Sequence, residues 1–147
     1  MTHSIRANYV FPMLALILAL GVAVHAQKGG EDKKPSLSLK ATPPVGFSPL
    51  KVRLSVDVKG GADDSVDFYC PNIEWEWGDD LRSESSEDCP PYEAGKSTIA
   101  RHYSTEHTYR YEGNYTARFR MKQGKRVVAT TTVNVQVRGG VRDDLDE

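Results

Sequence analysis

The sequence predicts an all-β protein, an antiparallel Ig-like β-sandwich of about seven strands. Three observations carry that expectation. Apolar residues recur at every second position in several separate runs, and short Gly- or Pro-rich breaks divide the runs. No long stretch repeats with the period of a helix after the N-terminal segment. Runs with one apolar and one polar face are what a sheet with one side in water requires.

The first 26 of the 147 residues stand apart. Arg6 precedes an apolar run from Val10 to Val24, and Val24-His25-Ala26 offers the small residues a signal peptidase needs. Residues 1–26 therefore read as a secretory signal peptide, forming a helix that is cut before Gln27. The run is short for a bilayer span, so no stable membrane span is expected after cleavage. Residues 27–36 (QKGGEDKKPS) read as a polar linker, 37–138 as the sandwich domain, and 139–147 as an acidic, disordered tail. Loss of the signal removes Arg6 and no acid, lowering the formal net charge of −1 by one. A nucleic-acid partner calls for a basic surplus, which is absent.

The strands follow in order. Leu37 to Ala41 forms the first, ended by Pro43-Pro44. Lys51 to Val58 places Val52, Leu54, Val56 and Val58 on one face, and Gly60-Gly61 closes it. Ile73, Trp75 and Trp77 alternate with Asn72, Glu74 and Glu76. Tyr115, Ala117, Phe119 and Met121 alternate with Thr116, Arg118, Arg120 and Lys122. Val127 to Val137 is largely β-branched, with Val133, Val135 and Val137 on one side. Gln123-Gly124 joins the last two runs as a hairpin. The outward glutamates of the tryptophan strand should pair across to Arg118, Arg120 and Lys122.

Cys70 and Cys89 are the two cysteines. In an exported chain an even count implies a disulfide, contributing about 3 kcal/mol by loop closure. The competing reading, a reactive or metal-binding pair, has a spacing far from C-x-x-C.

The stretch Trp75-Glu76-Trp77-Gly78-Asp79-Asp80 resembles the W-D-F-G-D-G motif of the polycystic kidney disease (PKD) domain family. His107-Thr108-Tyr109 is similar to that family's H-T-Y, Gly113-Asn114-Tyr115-Thr116 to its G-x-Y-x, and Pro49-Leu50-Lys51-Val52 to its P-L-x-V. The four elements stand in family order. The resemblance implies an Ig-like extracellular module in which Trp75, Trp77, Gly78, Asp79, His107, Tyr109, Gly113 and Tyr115 are structural. Asp80 replaces the motif's last glycine, and Glu112 replaces a proline. The segment from Leu81 to Ala100 is longer than usual, which makes this tied loop the place to expect specificity.

Asp79, Asp80, Glu87 and Asp88, with Glu84 nearby, are candidate calcium ligands, although their spacing is unlike a D-x-D-x-D-G loop. His102 and His107 form a poorer zinc pair, since zinc takes three or four ligands. Ser83 to Ser86 lack a G-x-S-x-G context, so no catalytic residue is assigned and no enzyme is expected. The expected function is that of an exported, non-catalytic module contacting protein or carbohydrate outside the cytoplasm, secreted, periplasmic or at the cell surface. The alternatives are a structural component of the cell envelope and a calcium-dependent accessory module.

Overall fold

The computed structural model describes residues 34–140. The signal peptide, residues 27–33 of the linker and the tail from 141 lie outside the described residues. Within them, no helix is long and apolar enough to cross a membrane.

Eight strands are formed among the described residues: β1 (Ser36–Thr42), β2 (Val45–Phe47), β3 (Leu50–Lys59), β4 (Asn72–Glu76), β5 (Arg82–Ser85), β6 (His102–Tyr109), β7 (Gly113–Gln123) and β8 (Arg126–Arg138). They make two sheets, one ordered β1-β3-β6 and the other β2-β8-β7-β4-β5. All pairings are antiparallel except β2 with β8. This is an Ig-like β-sandwich.

The chain changes sheet where its prolines lie. β1 pairs with β3, and after Pro43-Pro44 the next residues pair with β8. The Pro44 carbonyl accepts from Gln136 N at 2.9 Å, and Ser48 N donates to the Arg138 carbonyl at 2.9 Å. Proline suits this edge because it lacks an N–H to give a ladder.

The core lies between the sheets and follows the period of two. Val52, Leu54 and Val56 of β3 are wholly buried. Facing them are Trp75, Trp77, Ala117, Phe119, Met121, Val135 and Val137, all buried. The two indoles keep only 6% and 5% of their surface exposed, as their alternation requires. Trp75 meets Phe119 edge-on, with centroids 4.7 Å apart. Each ring buries roughly 150–250 Å², worth about 4–6 kcal/mol of gross transfer free energy before chain entropy is subtracted.

Eight strands agree with the expected number of about seven, but β2, β5 and β6 are not among the five runs located in the sequence, each for a physical reason. β2 has three residues, too few to show a period. β5 is exposed at all four positions, so it has no apolar face to alternate. In β6 the inward face is Tyr103, Thr105, His107 and Tyr109, whose polar atoms mask the alternation. β1 also begins at Ser36, inside the expected linker, where Ser36 pairs with Lys59. In β8 the buried Val128 is out of phase with Val135 and Val137. The register slips beside it, with Met121 opposite Ala129 but Lys122 opposite Val127, and such a bulge turns the following side chains to the other face.

β4 ends in a turn that only glycine fits. Gly78 has φ +83°, and a Cβ placed there would sit 2.8 Å from the Thr116 amide nitrogen and 2.9 Å from its carbonyl oxygen. Both atoms are backbone and cannot swing away. Gly78→Ala is expected to destabilise the domain by about 3 kcal/mol, from the left-handed backbone and the overlap together. Urea unfolding would measure this. A loss below about 1 kcal/mol would mean that β7 yields to the turn.

Candidate functional site

The motif residues converge on one corner of the sandwich. Trp77 N donates to the Leu81 carbonyl at 3.1 Å and closes the turn after β4. Asp79 Oδ1 accepts from Leu81 N at 3.3 Å. Asp80 has φ +66°, the left-handed conformation that aspartate tolerates and that a glycine in its place would adopt freely. Asp79 Oδ2 lies 2.7 Å from His107 Nε2. A carboxylate only accepts, so Nε2 carries the proton of this bond.

His107 is also gripped by rings. It stacks on Trp77 with centroids 4.5 Å apart and planes 9° from parallel. It meets Tyr109 edge-on at 4.8 Å. Tyr109 donates its hydroxyl to the Trp77 carbonyl at 2.9 Å and stacks on Tyr115 at 4.4 Å. Burial, followed by the charges of Asp79 and Tyr115, pushes the Tyr109 phenol up to about 12, so it stays a donor at neutral pH. Tyr115 donates to the Tyr111 carbonyl at 2.9 Å, a tyrosine corner at the start of β7. Gly113 lies under the Tyr115 ring, where an added Cβ would come within 3.1 Å.

Around this corner is an open cleft of about 640 Å³, lined by Asp79, Leu81, His107, Arg110, Tyr111 and Tyr115, with Thr108. Leu81 and Tyr111 flank it and are 59% and 78% exposed. The sequence reading did not single out Leu81, Arg110 or Tyr111. The available signal was an apolar or aromatic residue in a connection between strands, Leu81 after the Gly78 turn and Tyr111 between β6 and β7, where no strand buries it.

The disulfide stands at the other end of β4. Cys70 and Cys89 are joined, tying the segment after β5 to the start of β4. The tied loop is anchored further by its own bonds. Tyr69 donates to the Pro90 carbonyl at 3.0 Å, Tyr92 to the Asp64 carbonyl at 2.7 Å, and Ile99 N to the Asp63 carbonyl at 2.8 Å. Tyr69 and Tyr92 meet edge-on at 5.6 Å.

The four calcium candidates are not gathered. Asp79 and Asp80 follow β4, whereas Glu87 and Asp88 follow β5, which runs antiparallel to it. The two pairs therefore sit at opposite ends of one hairpin, about 15 Å apart at 3.3 Å per residue. Among the described residues, no group of three His, Cys, Asp or Glu side chains is disposed to hold a metal ion. His102 is likewise apart from His107: it binds Asp57 at 3.0 Å through Nδ1, near the far end of β6.

The outer face of the five-stranded sheet carries the expected cross-strand pairs. Glu76 lies opposite Arg118 and Glu74 opposite Arg120. Arg118 Nη1 reaches Glu76 at 2.8 Å, and Arg120 Nη1 reaches Glu74 at 2.5 Å and also binds Glu76. Lys122 binds Glu74 and approaches Glu84 at 3.6 Å. Glu74 differs from the expectation of an outward, exposed residue, because its side chain is only 5% exposed. Glu84 stands directly across from it, and Lys122 neutralises that like-charged pair. The hydrogen bonds from Lys122 and then Arg120 hold the Glu74 carboxyl down at about 2, below its ordinary 4.5.

These features define an Ig-like β-sandwich domain, braced by aromatic packing at one end and by a disulfide at the other. No protein-family model matches the sequence, and no curated protein matches it. Among solved structures, it is similar to the PKD domain of an M14-like peptidase from a Thermoplasmatales archaeon, at 14% identity and TM-score 0.49, covering 70% of this chain and 94% of that one. It is also similar to a CARDB domain from Pyrococcus furiosus solved in complex with di-metal ions, at 16% identity and TM-score 0.41, covering 70% and 93%. A superoxide reductase (neelaredoxin) from Ignicoccus hospitalis is similar at 8% identity and TM-score 0.42, covering 72% and 83%. Likenesses this distant carry nothing about ligand or activity, and the fold stands on its own strand order and core.

Two expectations follow. Asp79→Ala should cost about 2 kcal/mol, the range for a charge-assisted bond, and a double-mutant cycle with His107→Phe should show coupling of about 1 kcal/mol or more. Additive losses would mean that the 2.7 Å contact contributes nothing of its own. For Glu74 the folded carboxyl titrates lower than the unfolded one, so its contribution is present above pH 4.5 and lost as pH falls through about 2. Thermal melts should fall across that window, and Glu74→Gln should flatten the fall while lowering stability at pH 7 by roughly 3 kcal/mol.

Proposed function

We propose that the chain is an exported, non-catalytic recognition module that contacts a protein or carbohydrate partner outside the cytoplasm. The observation that carries this reading is the open cleft at the motif corner. Two exposed apolar side chains, Leu81 and Tyr111, flank a polar pair, Asp79 and His107, that neighbouring rings hold in place. Exposed rings on a stiff frame supply contact area at little entropic cost, and binding residues concentrate on such corners. Arg110 beside them has no ion-pair partner among the described residues and is available to an acceptor on the partner.

The compartment reading rests on chemistry. A disulfide persists outside the reducing cytoplasm, and the N-terminal segment has the layout of a secretory signal. The non-catalytic reading rests on the motif corner: the proton of His107 Nε2 is committed to Asp79, Trp77 stacks on the ring, and Tyr109 packs against it edge-on. That imidazole braces a turn.

The test is retention of the purified chain on a panel of immobilised polysaccharides and extracellular proteins. Tyr111→Ala with Leu81→Ser should weaken a specific interaction at least about tenfold, the cost of losing a hot-spot ring. The melting temperature should stay unchanged, because both residues are exposed. Binding that survives this double substitution would remove the cleft as the recognition surface, and exported material whose N-terminus is not Gln27 would overturn the cleavage site.

A further inference from the structure

The disulfide end holds a second, smaller pocket. Its volume is about 130 Å³, and its lining includes Tyr69, Ile73, Ser85, Glu87, Thr98 and Tyr103, with the Cys70–Cys89 bridge in its wall. A space of this size takes a small head group and falls well short of the several hundred Å³ that a drug-sized ligand needs.

One atom in this region has no explanation within the fold. The Tyr103 hydroxyl is buried and has no hydrogen-bond partner among the described residues. Nine in ten buried polar groups are paired, and an orphan costs free energy that a guest could recover. The ring is fixed by Phe119, 5.5 Å away. Burial, followed by the charge of Glu87, pushes this phenol up to about 12, so the hydroxyl is neutral and can accept a bond.

The lining also selects the guest's charge. Glu87 is the one charged side chain that lines the pocket, and it has no ion-pair partner among the described residues. The rings of Tyr69 and Tyr103 also line the pocket, and aromatic rings attract cations. An anion would meet an unpaired carboxylate. Calcium would find one carboxylate and a few hydroxyls, too little charge for an ion that takes six to eight oxygens.

We propose that this pocket binds a small alkylammonium head group, held by the Glu87 carboxylate, the Tyr103 hydroxyl and the tyrosine rings. Its source is either a free primary amine or the tip of a lysine side chain on a partner protein. This site is separate from the motif-corner cleft, and its test stands or falls independently of the proposed function.

The experiment is an amide NMR titration of the purified chain with n-butylammonium chloride, n-butanol, sodium butyrate, calcium chloride and the peptide acetyl-Gly-Lys-Gly-amide. Butylammonium should shift the Ile73, Ala100 and Tyr103 amides saturably. Butanol, butyrate and calcium should not do so in the same range. Glu87→Gln should weaken butylammonium binding about tenfold or more, and Tyr103→Phe about threefold or more. Both variants should fold, since Glu87 is exposed and the Tyr103 hydroxyl supports no other group. A tighter peptide would assign the site to a partner's lysine, and a tighter free amine would assign it to a small molecule. Butanol binding as well as butylammonium, an unchanged affinity in Glu87→Gln, or no saturable shift at all would overturn the proposal.

Discussion

The structure depends on Trp77 more than on any other residue. Its indole is buried in the core, its ring face supports His107, its carbonyl accepts the Tyr109 hydroxyl, and its amide closes the turn to Leu81. The residue after it lies flat against the backbone of Thr116. Trp77 directly follows β4, and it and its neighbour thus join β6, β7 and the turn that leads into β5. Each bond satisfies a backbone or side-chain group that would otherwise be stranded near the core, and that is why the corner uses polar aromatics in place of aliphatic packing. Its rigidity is what gives the adjoining exposed side chains a defined position.

A second constraint acts on the opposite face of the same sheet. A glutamate nearly out of water is tolerable only when its charge is answered, and Glu74 is answered by both Arg120 and Lys122. The outward cations of β7 are engaged in turn by Glu74 and Glu76, so the charges on this face answer one another. Arg110, at the corner, belongs to a different part of the surface and is not engaged in this way. The charges that hold the sheet and the free charge at the corner are thus separate sets.

The sequence made the apolar strands legible because their physics is local. Val52 to Val58 and Trp75 to Trp77 announce a buried face by alternation alone, and the outward charges of β4 and β7 could be paired once the two strands were placed side by side. It concealed what depends on three dimensions. β5 is a strand only because β4 offers it a ladder, and nothing in Arg-Ser-Glu-Ser prefers a face. The burial of Glu74 follows from being flanked by β5 and β7, which its own alternation does not report. The acidic residues around the turn look like one cluster when read along the chain. The antiparallel hairpin then carries them to opposite ends, so proximity in sequence became separation in space.

That same hairpin divides the domain's surface into two chemistries. At the turn end, exposed apolar groups surround a hydrogen-bonded histidine–aspartate pair, a surface suited to broad contact. At the disulfide end, an unpaired carboxylate and an orphaned phenol line a small recess, a surface suited to one compact cation. Neither end can borrow from the other across the length of β4. The bridge between Cys70 and Cys89 matters here for more than stability: it fixes the wall of the recess, as the aromatic corner fixes the cleft. Two independently braced ends thus give one short sandwich two fixed surfaces of different chemistry, neither of which depends on moving a strand.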